Sequence, residues 1–131
     1  MKQTGTVYFY NLNSEKGRQI RMLCLKLGLK IRTVDSNQYL EPLGGLAGMP
    51  GYSLSGEQYT GKGFSDEMLL LKGFTNGLLD RFLQGFRSMK IESVALKAVL
   101  TDTNCGWNSL ELHDELVKEH QAMTQHESAA E

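Results

Sequence analysis

Apolar and polar positions along this chain switch between two periods. Thr6-Val7-Tyr8-Phe9-Tyr10 is a β-branched and aromatic run that stops at Asn11-Leu12-Asn13-Ser14, which predicts a first strand and a turn. Apolar residues then return at helical spacing, Ile20, Leu23, Cys24 and Leu27, and the run closes at Gly28. An amphipathic helix is expected there, with Asn13 or Ser14 as its cap and Cys24 in the core. Leu29-Lys30-Ile31-Arg32-Thr33-Val34 alternates, as an edge strand with one face in the core does, and Asp35-Ser36-Asn37 ends it.

The same grammar returns later. Met68 to Leu71 predicts a strand, and Leu78, Leu79, Phe82, Leu83, Phe86 and Met89 predict a helix capped by Thr75 or Asn76. Ala95 to Leu100 predicts another strand. Asn108-Ser109-Leu110-Glu111 fits a capping box for a last helix through Leu112, Leu116, Val117, His120 and Met123. Leu70, Leu71, Val99, Phe82 and Phe86 are expected to be buried together, with Leu69 and Leu96 also largely covered.

Between the halves regular structure thins. Ser36 to Leu40 and Pro42 to Ala47 predict one or two helical turns each, with Ser36 as a cap and Pro42 at a first helical position. Glycine density from Gly51 to Gly63 makes that stretch the expected flexible loop, and 125–131 the expected disordered tail, of a single domain spanning 1–131. Gly56-x-x-x-x-Gly61-Lys62 has the spacing of a phosphate-cradling loop. Gly63 stands where a magnesium-binding hydroxyl is required and no strand precedes Gly56, so that reading is rejected.

The order strand, helix, strand, helical turns, repeated once, predicts an α/β fold. Right-handed crossovers give a four-stranded, mostly parallel sheet in order 2-1-3-4 with helices on both faces. A ferredoxin-like α+β arrangement with one antiparallel pairing is the alternative.

Composition narrows the class. A net charge of -1 gives no footprint for nucleic acid, although Lys16, Arg18, Arg21, Lys26, Lys30 and Arg32 make the first third locally basic, as a solvated helix face is. No apolar run approaches a membrane span, and two cysteines in unlike contexts, Cys24 and Cys105, fit free thiols in a reducing cytoplasm. His113 and His120 lie two turns apart on the last helix, too far for one metal, and no metal or cofactor is expected.

In a parallel sheet of order 2-1-3-4, chemistry would sit in a crevice between the first and third strands, where strand carboxyl ends meet helix amino termini. Candidate ligand-binding residues are Asn11, Asn13 and Ser14 after the first strand, Thr75 and Asn76 after the third, and Thr101, Asn104, Cys105 and Trp107 after the fourth. These residue types are also what caps and turns require. Cys105, in a loop before a helix, is the one candidate nucleophile, without a histidine near it in sequence to act as base. No acid, base, nucleophile and orienter hold together, which favours a non-catalytic binding or regulatory module. The alternative is a small enzyme or carrier for a phosphorylated or anionic ligand, with a small anion or a protein as the partner.

Glu67-Met68-Leu69-Leu70-Leu71-Lys72-Gly73-Phe74-Thr75, Leu96 to Thr101 with Asn104 and Trp107, and Leu46-Ala47-Gly48 resemble a small bacterial family catalogued as domain of unknown function 3783. The likeness spans nearly the whole chain and is densest from Glu67 to Met123. It implies a bacterial cytosolic protein and brings no activity with it.

Overall fold

A computed structural model describes residues 5–130, with side chains described through 123. Its contacts divide the chain into two compact units, Met1–Val34 with Ser65–Leu100, and Asp35–Phe64 with Thr101–Glu131.

The first unit is a four-stranded sheet in order β2-β1-β3-β4. It is built from β1 (Thr6–Tyr10), α1 (Glu15–Leu27), β2 (Lys30–Thr33), β3 (Met68–Lys72), α3 (Asn76–Ser88) and β4 (Leu96–Val99). β1 runs parallel to β2 and β3 parallel to β4, but the central pair β1 and β3 is antiparallel, with Tyr8 opposite Leu70. A right-handed crossover fixes the face its helix takes once strand direction is set. Reversing β3 against β1 brings α3 to the face that α1 occupies, whereas an all-parallel sheet in this order would separate them.

On that shared face Val7, Phe9, Leu69 and Leu71 pack with Ile20, Leu23 and Cys24 of α1 and Phe82 and Phe86 of α3. Ring edges of Phe82 meet Phe74 and Phe86 at centroid distances of 5.6 and 5.2 Å. Leu70 does not join this cluster as expected. Side chains alternate along a strand, so Met68 and Leu70 point with Tyr8 and Tyr10 to the opposite face, where all four are buried too. Val99 is only half-buried at the edge.

The local devices follow the sequence. Ser14 Oγ accepts from Gly17 N at 3.3 Å and Thr75 Oγ1 from Leu78 N at 3.1 Å, while Gly28 ends α1 at φ 71°. Lys16 Nζ lies 2.6 Å from Glu67 Oε1 and 3.2 Å from the Ser93 carbonyl, fastening α1 to the segments before β3 and β4.

The second unit holds a 3-10 turn at Ser36–Gln38, α2 (Leu43–Leu46) and α4 (Ser109–Ala130). Asp35, not Ser36, caps the turn, because Gln38 stands three residues beyond it and reaches back to its N–H at 3.3 Å. Pro42 is extended, at ψ 141°, so it caps α2 instead of starting it. Asn108 and Glu111 exchange the capping-box bonds, both at 2.9 Å. The tail expected to be disordered falls at the end of α4, outside the residues whose side chains are described.

Candidate functional site

The nine candidate residues fall into three groups. Antiparallel pairing sets Tyr10 opposite Met68 and Thr6 opposite Lys72, so Asn11, Asn13 and Ser14 follow β1 at one edge of the sheet while Thr75 and Asn76 follow β3 at the other. The crevice expected between those two strands required parallel directions. Thr101, Asn104, Cys105 and Trp107 belong to the second unit and form a group of their own.

Most of these polar groups are tied into local structure. Asn11, at φ 59°, donates from Nδ2 to the Asp66 carbonyl at 3.0 Å. Ser14 and Thr75 cap helices, as described. Thr101 N donates to Asn104 Oδ1 at 2.8 Å and Asn104 N to Thr101 Oγ1 at 3.3 Å, a reciprocal pair that closes the turn after β4. Trp107 is half-buried, and its carbonyl accepts from Leu43 N at 2.8 Å.

Cys105 is buried, at 3 % exposure, and does not face solvent as a loop nucleophile would. Its Sγ lies 3.1 Å from Tyr52 Oη and 3.4 Å from the Asp102 carbonyl, so the thiol proton has two acceptors. Through the same contact the Cys105 side chain raises the Tyr52 phenol above its ordinary pKa. Gly44 N donates to the Cys105 carbonyl at 2.7 Å, and a Cβ on Gly44 would come within 2.7 Å of the Tyr52 ring. Tyr52, Gly44 and Cys105 thus form a packed contact that fastens the loop after α2.

Glu41 is the polar residue that sequence reasoning passed over. Its side chain, in a residue 5 % exposed, accepts from Ser55 N at 2.6 Å, Gly56 N at 2.8 Å and Ser55 Oγ at 3.0 Å. The main-chain bond from Ser55, then those from Gly56 and the Ser55 hydroxyl, hold its carboxyl below the usual range. In the same unit, rings stack in sequence: Tyr59 on Tyr39 at 6.0 Å, Tyr39 on Phe64 at 4.7 Å, and Phe64 on His113 at 3.9 Å. The only signals for this assembly were an acid before Pro42 and aromatic residues set among glycines.

Of the basic stripe, Lys16 is paired with Glu67, Arg18 lies 2.6 Å from Glu15, and Arg21 lies over the Phe9 ring at 5.0 Å. The Arg18–Glu15 pair is exposed, whereas the Lys16 side chain is only 19 % exposed. Among the described residues no three His, Cys, Asp or Glu side chains are grouped to hold a metal, and no helix is long and apolar enough to cross a membrane.

No curated protein and no solved structure matches the chain. Residues 67–123, from just before β3 into α4, match the family model described as domain of unknown function (DUF3783).

Proposed function

We propose that this protein is a non-catalytic binding or regulatory module of the cytoplasm. One observation carries the reading: the polar side-chain atoms of Asn11, Ser14, Thr75, Thr101, Asn104 and Cys105 are bonded within the fold itself, as in the Thr101–Asn104 pair and the Cys105–Tyr52 contact. A catalytic group has to meet a substrate atom, and a thiol at 3 % exposure is poorly placed for that. Both cysteines are free, in keeping with a reducing compartment.

A thermal-shift series with nucleotides, phosphorylated metabolites and thiol reagents tests the reading. Flat melting temperatures across small anions and slow thiol modification are expected. Saturable stabilisation by one phosphorylated compound, or rapid modification of Cys105 in the folded protein, overturns it in favour of a small enzyme or carrier.

A further inference from the structure

The stretches 6–46 and 68–112 carry the same devices at the same places. β1 sets Thr6 beside Lys30 of β2, and β3 sets Met68 beside Leu96 of β4, both in parallel. Each first strand is followed by a left-handed residue, Asn11 at φ 59° and Gly73 at φ 74°, then by a hydroxyl-capped helix of 13 residues. Each helix ends on a second left-handed residue, Gly28 at φ 71° and Lys90 at φ 56°. The bond from Leu29 N to the Cys24 carbonyl, 2.8 Å, has its counterpart from Ile91 N to the Phe86 carbonyl, also 2.8 Å.

The match continues past the second strands. Asp35 N donates to the Gln38 side chain as Thr101 N does to the Asn104 side chain, and Glu41 N reaches the Gln38 carbonyl as Trp107 N reaches that of Asn104, both at 3.0 Å.

Equivalent residues also meet each other, as two copies related by a two-fold axis must. In the sheet Tyr8 pairs with Leu70. Between the helices a Cβ on Gly85 would fall 2.3 Å from Leu23, its counterpart in α1. In the second unit Pro42 forms an antiparallel bridge with Asn108. Each of these pairs is self-equivalent, which a chance repetition of strand and helix would not produce three times.

We infer that residues 6–46 are a second, diverged copy of the unit matched at 67–123, and that the surface joining the copies, centred on β1 and β3, accepts the corresponding half of a second copy of this chain. An exchanged dimer keeps every contact between the halves. It competes with the closed monomer through the connection 47–67, which the bonds from Ser55 and Gly56 to Glu41 and the Cys105–Tyr52 contact tie to both halves, and which sets an effective concentration on the order of mM.

The test refolds the full chain carrying Thr6→Cys and Lys72→Cys, which face each other across β1 and β3, and oxidises it after refolding at increasing concentration. Intrachain disulfide monomers are expected from dilute refolding. Covalent dimers with the native circular dichroism spectrum should rise about tenfold relative to monomer for each tenfold in concentration, as intermolecular pairing competes with a fixed effective concentration. The unmodified protein, refolded the same way and sized by light scattering, should form dimers with the same dependence, and it decides the matter if the double variant does not fold. Monomers alone at all concentrations, or aggregates without a 6-to-72 crosslink, overturn the inference.

Discussion

A Cβ on Gly17 would sit 1.9 Å from the carbonyl oxygen of Leu12 and 2.8 Å from its carbonyl carbon. Both atoms are main chain, held where the turn after β1 enters α1, so no rotamer change relieves the contact. Helix propensity alone favours Gly17→Ala by about 1 kcal/mol. The clash is the larger effect, because overpacking against rigid neighbours costs about 1–3 kcal/mol and more where backbone must shift. Chemical denaturation of Gly17→Ala should show a net loss of about 2 kcal/mol. A variant more stable than the parent would mean that the turn at Leu12 yields.

Phe82 is fully buried and meets Phe74 and Phe86 edge to face beneath the sheet. Phe82→Ala removes most of a ring that joins α3 to the Leu69 and Leu71 face, and such truncations cost about 3–5 kcal/mol. A denaturation midpoint equal to the parent's would contradict the packing of α3 on that face.

Much of the first unit was legible because α1 and β2 carry one-faced patterns and Ser14, Gly28 and Thr75 are strong local punctuation. Strand direction was not. Turning β3 around leaves its side-chain alternation unchanged, and the connection from Val34 to Ser65 is long enough to return either way. That one ambiguity misplaced the crevice, since it decides whether Ser14 and Thr75 share an edge. Met68-Leu69-Leu70-Leu71 offers no alternation, being buried on both faces, so the pattern does not show that Leu70 points away from the face holding Leu71, Phe82 and Phe86. Glu41 was hidden for another reason: two of its three donors are main-chain N–H groups, which no side-chain pattern reports.

Burial pushes the Cys24 thiol up to about 12, the nearby Arg21 charge offsetting part of the effect. An unfolded cysteine ionises near ~8.5. Between those values the unfolded chain releases a proton that the folded chain retains, so this contribution to stability is intact below about pH 8.5 and is lost as pH rises towards 12. Urea unfolding at pH 7 and pH 10 should therefore show the parent losing more stability than Cys24→Ala. Equal losses in the two proteins would place the alkaline sensitivity elsewhere.

Glu41 ties residues 55 and 56 to the start of α2, and its lowered pKa gives the acid behaviour a definite sign. An unfolded glutamate titrates near ~4.3, so the carboxylate's contribution is present above that pH and is lost as pH falls through the lower folded value. Glu41→Gln keeps the shape but removes the charge that strengthens bonds from Ser55 and Gly56. Limited proteolysis at neutral pH should cut the parent first within residues 51–63, where no regular element protects the main chain, and should cut Glu41→Gln there several-fold faster. An acid-active protease should narrow the difference as pH falls through that lowered folded value, where the parent's carboxyl protonates as well. Equal cleavage rates at neutral pH would show that stacking of Tyr39, Tyr59 and Phe64 holds the loop without the carboxylate, and first cleavage within α3 would remove the loop from consideration as the most open segment.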